Sequence, residues 1–262
     1  MADVNPGRHY DRCFYEEAVD QQAVDSAAVI VPLVQRLVRA GSVVDVGCGT
    51  GAFLSAFVAA GTTDVLGLDG DHVPRDLLRI DPSQFRADDL RTPTPLDRTF
   101  DLAVSLEVAE HLPASTADRF VEFLAGLAPV VLLSAAIPGQ GGVEHVNEQW
   151  PSYWADRFAR HGFTAVDVVR AAVWTEPRVA PYYAQNTVIY VASGVELPIP
   201  RDLTRLPSPP LSLVHPAILG GIEATHELLL RADPSLRSLL RRLPSALTRA
   251  VTRRVRDRRA RD

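Results

Sequence analysis

The chain contains no lysine, because all 27 of its basic residues are arginine. A Schiff-base cofactor, a P-loop and a protein-kinase phosphate site each require a lysine ammonium, so those three enzyme classes are set aside. Cysteine is almost as scarce. Cys13 and Cys48 give neither a disulfide framework nor the spacing of a metal knuckle, and both read as small filler side chains. Long apolar runs are missing too: the longest, near 125–133, falls short of the roughly 20 residues of a membrane span. No basic-then-apolar leader opens the chain, so the expectation is a cytoplasmic protein. Nor does any H-x-x-E-H run or carboxylate cluster argue for a metal, and the sequence by itself assigns none.

What is present is an ordinary globular composition. With 262 residues, 47% of them hydrophobic, the chain can bury one α/β core plus additions. Its arginine, alanine and proline bias fits a GC-rich, bacterial coding sequence. Charge is uneven: residues 231–262 hold eleven arginines against Asp233, Asp257 and Asp262, while the overall balance is −5. Leu236, Leu239, Leu240, Leu243, Leu247 and Val251 recur there at helical spacing, which predicts a basic amphipathic helix. Packing against the domain, docking peripherally on an anionic inner-membrane surface, and contacting a protein or nucleic acid all remain open for it. The acidic remainder offers no basic groove for nucleic acid.

The densest information lies at Val43-Val44-Asp45-Val46-Gly47-Cys48-Gly49-Thr50-Gly51-Ala52, where an apolar strand breaks into three alternate glycines that open an apolar helix. Glycine lets backbone approach a ligand closely, and free N–H groups at a helix start attract polar or anionic groups. A dinucleotide loop spaces its glycines G-x-G-x-x-G. This one reads D-x-G-x-G-x-G, and an acid at its head suits a ligand that carries an ammonium group. Beyond it, Val65 to Asp69 reads as a second strand in a βαβ unit, so that Asp69, 18 residues past Gly51, falls at the neighbouring strand tip where an acid can hold ribose hydroxyls.

The loop resembles the first motif of the class I S-adenosylmethionine-dependent methyltransferases. Glu107-Val108-Ala109-Glu110-His111-Leu112 is similar to the E-V-x-E-H-L segment common in that family. His145-Val146-Asn147-Glu148-Gln149-Trp150-Pro151-Ser152-Tyr153-Trp154 and Tyr183-Ala184-Gln185-Asn186 look like runs of a bacterial small-molecule subgroup. The resemblance spans roughly residues 10–195. It implies a Rossmann-like, mostly parallel sheet of seven strands with a final antiparallel hairpin and helices on both faces. It also implies S-adenosyl-L-methionine as cofactor, held by Asp45, Gly47, Cys48, Gly49, Gly51, Asp69, Gly70, Asp88, Asp89, Leu90, Leu106, Glu107 and His111. Within that frame residues 1–40 form an N-terminal flap and helix, 41–195 the cofactor-binding domain, and 196–262 a Pro-rich linker and C-terminal helices. The hairpin strands are expected at Phe163–Val169 and Asn186–Val191, and the N-terminal helix at Gln22–Ala40.

The segment after the fifth strand, from Ala135 to Trp154, combines flexible glycines with a histidine, an amide, two carboxylates and two indoles beyond the ligand edge of the sheet. We take His145 as general base or orienting group, with Asn147 and Tyr183 beside it. His145 could equally bond its own loop, and Asn147 could cap the following helix. Substrate contacts are expected from Tyr10, Tyr15, Glu148, Trp150, Tyr153, Trp154, Trp174 and Asn186, the aromatics being suited to enclose a sulfonium. The function expected is methyl transfer to oxygen or nitrogen of a small polar metabolite or sugar-containing natural product. Two alternatives stand beside it. One is cyclisation or lysis of S-adenosylmethionine to methylthioadenosine, and the other is a non-catalytic cofactor-binding or membrane-docking subunit. Neither the acceptor nor the oligomeric state follows from the residues.

Overall fold

The computed structural model describes residues 18–222. Expectations for Tyr10, Tyr15 and the basic segment 231–262 fall outside them. One sheet of seven strands organises the chain: β1 (Ser42–Val46), β2 (Asp64–Asp69), β3 (Phe85–Ala87), β4 (Leu102–Leu106), β5 (Val130–Ser134), β6 (Phe163–Val166) and β7 (Val188–Ala192). They run in the order β3-β2-β1-β4-β5-β7-β6, parallel as far as β5, with β7 antiparallel to both β5 and β6. The order reverses between β1 and β4, which opens a crevice at the carboxyl ends of the strands, where ligands of such sheets bind.

Both faces of the sheet are covered, which is why its central strands read as unbroken apolar runs. On one face α1 (Ala18–Val38) and α2 (Ala52–Ala59) pack Ile30, Val34, Leu54 and Phe57 on Val43, Leu102, Leu132 and Ile189. On the other, α3 (Ala117–Leu127) and α4 (Pro151–Arg160) pack Phe120, Leu124, Trp154 and Phe158 on Val44, Ala103, Leu133 and Tyr190. Within β1 the alternation puts Val43 and Asp45 on one face and Val44 and Val46 on the other.

Several expected boundaries are corrected. The first helix begins at Ala18 and stops at Val38, because Arg39 takes φ 52 and turns the chain into β1. The hairpin strands are shorter than the apolar run suggested. Val169–Val173 forms α5 and Pro181–Asn186 forms α6, their apolar residues buried under the sheet face rather than paired in it. Periodicity cannot separate a short buried helix from a strand of the same composition.

The Pro-rich stretch after residue 195 is not a free linker over its described length. Leu197, Ile199 and Leu203 pack against the core, Leu206 N–H donates to the Asp167 carbonyl at 2.8 Å, and Arg36 pairs with Asp202 at 2.9 Å. Beneath this strap Arg170 is fully buried, paired with Asp167, and donates to the Leu211 carbonyl at 2.9 Å. No helix among the described residues is long and apolar enough to cross a membrane.

Removing one partner of a buried ion pair strands the other charge, which costs about 3–5 kcal/mol. Arg170→Met should therefore lower the melting temperature by at least about 6 °C, at roughly 2–4 °C per kcal/mol for a domain of this size. Substituting Asp167 as well, by Leu, should recover part of that loss. Thermal melts of the three proteins check this, and an Arg170→Met shift under about 2 °C would show that the pair does not anchor the strap.

Candidate active site

At the reversal of strand order the glycine loop turns from β1 into α2. Gly47, Gly49 and Gly51 take φ of 89, 52 and 86, conformations that side chains disfavour. At Gly47 there is a second reason, since a Cβ would stand 2.2 Å from the Val108 side chain. The loop is hung on β2 by Gly47 and Cys48 N–H bonds to the Leu68 carbonyl, at 2.7 and 3.2 Å. Asp20 of α1 clasps it from outside, accepting from the Thr50 hydroxyl and pairing with Arg79 at 2.6 Å.

Two acids face this loop. Asp69, at the end of β2, accepts from Gly49 N–H at 2.7 Å and Gly70 N–H at 2.6 Å, with His72 at 3.8 Å. Burial raises its carboxyl above the ordinary range against the pull of those two N–H groups. Asp45, only 4% exposed, is pushed up to about 8, first by burial and then by the negative charge of Asp69. A cation arriving here would be drawn by both. Cys48 is buried under Gly67, where a Cβ would meet its sulfur at 2.6 Å, so it fills space behind the loop.

The acids after β3 divide. Asp88 is engaged by its own loop, pairing with Arg86 at 2.7 Å and accepting from Thr94 N–H at 3.0 Å. Asp89 is half-exposed and chelated by Arg91 at 2.8 Å, which holds its carboxyl below the usual range. Leu90 packs against the core near Leu96.

Past Leu106 the chain enters a turn in which Glu107 adopts φ 55, a conformation rare for a side-chain-bearing residue and concentrated at functional sites. Its backbone N–H donates to the Ser134 hydroxyl at 3.0 Å, and its carboxyl accepts from Gln140 and Asn186 amides at 3.0 Å each. Burial nevertheless raises that carboxyl. One turn on, Glu110 is completely buried beside the Ala136 backbone and the Glu107 carboxyl, with no well-formed hydrogen bond on either carboxyl oxygen. Burial, reinforced by Glu107, holds it well above the ordinary carboxylate range. His111 follows, pushed down to about 4 by burial and by His145.

The loop after β5 closes over this turn. Val146 and Asn147 N–H both donate to the Glu110 carbonyl at 2.9 Å, and the His145 ring stands edge-on to His111 with centroids 4.8 Å apart. Glu148 holds the loop: it accepts Gly139 and Gly141 N–H at 2.9 and 2.8 Å and meets His145 Nδ1 at 3.1 Å. Burial works against the Glu148 charge, but these contacts keep its carboxyl below the usual value. Asn147 does not cap α4, whose N-cap is Trp150. Its side chain instead accepts from Gln149 at 3.0 Å and leaves a buried Nδ2 without a partner.

Of the aromatic residues, Tyr183 reaches the site. It stacks edge-on with Phe53 at 5.3 Å, and burial followed by the charges of Tyr182, Glu107, Asp45 and Glu110 pushes its hydroxyl far up. Trp154 instead belongs to the core between α3, α4 and the sheet, at 2% exposure, which corrects its expected role as a ligand contact. Tyr153 lies beside it under the Arg157 guanidinium, and Trp174 packs on His215 of the strap. Trp150 is half-buried at the head of α4. Sequence reasoning had not singled out Glu110, Gln140 or Gln185. Gln185 donates to Gln140 and Asn186 at 3.0 Å and accepts the His215 backbone N–H at 2.7 Å, joining the strap to the Glu107 carboxyl.

Residues 15–170 match the family model described as a methyltransferase domain. No curated protein sequence matches the chain. Among solved structures, DesVI of Streptomyces venezuelae is 17% identical, with 69% of this chain and 96% of that one covered and a TM-score of 0.51. The sugar N-methyltransferase KedS8 of Streptoalloteichus sp. is 16% identical, with 69% and 91% covered and a TM-score of 0.52. Against human N-acetylserotonin methyltransferase, 13% identical at a TM-score of 0.48, 68% of this chain is covered but it spans only 57% of that protein. At such identities the likeness is one of fold.

Asp45 links this site to stability. Its carboxyl is pushed up to about 8 in the folded chain against an ordinary 3.8, so it is protonated in both states only well below pH 3.8. As pH rises from there towards 8 the unfolded chain releases the proton first, and the folded state loses stability. In ligand-free protein, Asp45→Asn should match the parent's melting temperature near about pH 3 and exceed it by more than about 3 °C at about pH 8, since each pKa unit is worth about 1.4 kcal/mol. Equal melting temperatures at both pH values would contradict the raised pKa.

Proposed function

The chain belongs to the methyltransferase-domain family, and on that premise we propose that it transfers the methyl group of S-adenosylmethionine to oxygen or nitrogen of a small polar metabolite or sugar-containing natural product. The observation that carries this reading is the meeting of two groups at one sheet edge: Asp45, Asp69 and the glycine loop on one side, and the turn of Glu107–His111 with His145 on the other.

S-adenosylmethionine is the cofactor, and the residues present suit it. Asp45 would hold its ammonium group, and Asp69, whose two oxygens are held in place by Gly49 and Gly70, would hold its ribose hydroxyls. The sulfonium is attracted by the carboxyl groups around Tyr183 and by aromatic faces. In transfer, an acceptor lone pair attacks the methyl carbon in line as the carbon–sulfur electrons return to sulfur. Because the sulfonium charge disappears, the protein needs chiefly to align the two partners. His145, fixed by Glu148, stands on the acceptor side of the site.

The test is release of S-adenosylhomocysteine from purified protein given S-adenosylmethionine and a panel of sugars, phenols and amines. Product is expected only where an acceptor is present. Asp45→Ala should weaken cofactor binding by about 10–100-fold, the worth of a hydrogen bond to a charged group. His145→Ala should lower kcat by at least about 100-fold with cofactor binding unchanged. Methylthioadenosine formed without acceptor would overturn the reading in favour of a cyclase or lyase.

A further inference from the structure

Glu110 and His111 leave β4 in one turn, and His145 comes from the loop after β5. The fold nevertheless brings them together, with one donor atom from each within 4.8 Å of the other two. Two imidazoles and a carboxylate around a common point are a donor set for a divalent cation, which each donor would approach to about 2.0–2.2 Å after a small inward shift.

Two further observations point the same way. Glu110 is completely buried, and its carboxyl, which lies beside the Ala136 backbone and the Glu107 carboxyl, makes no well-formed hydrogen bond on either oxygen, so its oxygens are poorly compensated for the loss of water. The neighbouring Asn147 has a buried Nδ2 in the same condition, so a donor as well as an acceptor awaits a ligand. Around His145, Glu148 Oε1 meets Nδ1 at 3.1 Å while being held by Gly139 and Gly141. A carboxylate on one imidazole nitrogen is the usual second layer of a metal-bound histidine and fixes the plane of the ring. Gly142 backs the ring, where a Cβ would stand 2.3 Å from Nε2, so His145 keeps its position only because that residue is glycine.

We propose that Glu110, His111 and His145 bind a first-row divalent cation, and that this cation takes the acceptor hydroxyl in an open coordination position. The inference rests on the methyl-transfer reading and deepens it, because it selects oxygen over nitrogen and favours a hydroxyl with a neighbouring oxygen that can chelate, as in a sugar. Mixed imidazole and carboxylate donors suit zinc, cobalt, iron or manganese better than magnesium alone. The bound hydroxyl loses its proton to water at a lower pH than a free one. Its oxygen then forms the bond to the methyl carbon, the carbon–sulfur bond breaks with its electrons on sulfur, and the neutral thioether leaves. Glu107, tethered by Gln140 and Asn186, stands next to the cluster.

The full chain, dialysed against a chelator, is titrated with Co²⁺ and with Zn²⁺ by calorimetry and visible absorption, with no acceptor present. One equivalent is expected to bind, Co²⁺ developing d–d bands. Glu110→Gln and His111→Gln should each abolish saturable binding, and Glu148→Gln should weaken it by about 10–100-fold, as loss of a second-layer partner does. Glu122→Gln, on the exposed side of α3, should change nothing. An unchanged circular dichroism spectrum and cooperative thermal melt show that each variant is folded, and Glu148→Gln with the parent suffices if Glu110→Gln is not. The proposal falls if the parent binds no metal, if the first two variants bind it as tightly as the parent does, or if chelated protein methylates an acceptor at the parent rate. Metal binding without methylation of any acceptor would instead fault the methyl-transfer reading and leave the site standing.

Discussion

Burial of negative charge at the carboxyl edge of the sheet is the constraint on which the remaining structure depends. Asp45, Asp69, Glu107 and Glu110 end or follow three neighbouring parallel strands, and each is held above its ordinary pKa chiefly by burial. Such groups would be tolerated most easily as neutral acids, yet two of them are surrounded by donors that favour the anion: backbone N–H groups at Asp69, and amides with a hydroxyl at Glu107. The edge is thus balanced between the neutral and charged forms of its acids. A cationic ligand tips that balance at once, because every positive charge that enters is matched by carboxyl groups already in position and already desolvated.

That balance requires rigid support, and the support comes from distant parts of the chain. The Glu107 carboxyl is gripped by Gln140 and Asn186, and Gln140 and Asn186 in turn by Gln185. Gln185 is fixed by the strap through His215, while Arg170 bonds both the Gln185 carbonyl at 3.3 Å and Leu211 of the strap. On the opposite side Asp20 and Arg79 close over the glycine loop, and Tyr182 ties α6 to Gln22 of α1 at 2.9 Å. The segments before β1 and after β7 therefore act on the site by orienting its polar groups, even though the strands themselves are built from the middle of the chain.

How much of this was legible beforehand follows from the range of each interaction. β1, β2 and β5 were readable because a central parallel strand is apolar on both faces and its ends are marked by glycine or a charged residue. The glycine loop with Asp45 and Asp69 was readable because its geometry is local, a strand, a turn and a helix start. What escaped was long-range. Val168 and Val169 looked like strand because only the tertiary context separates a buried helical turn from a strand, and Trp154 looked like a ligand contact because an indole near a glycine-rich loop carries no sign of which face of α4 it will occupy. Glu110 stood in view beside His111, but the loop carrying His145 closes over it, and nothing in the local sequence announces a carboxyl group that is completely buried.

The same charge argument bears on turnover. S-adenosylmethionine carries a sulfonium and an ammonium, and its demethylated product keeps only the ammonium. An edge lined by buried carboxyl groups holds the first more tightly than the second, because the loss of one positive charge leaves a desolvated acid without its counter-charge. On the methyl-transfer reading, the tilt would favour release of the spent cofactor after each transfer. It also places the attraction to the sulfonium in the ground state, where it would slow the chemistry if it were not offset. A cation held by Glu110, His111 and His145 would supply that offset: it neutralises part of the negative field just where the acceptor oxygen must become the nucleophile, so that one cluster of acids can serve to gather the cofactor and, once metallated, to activate its partner.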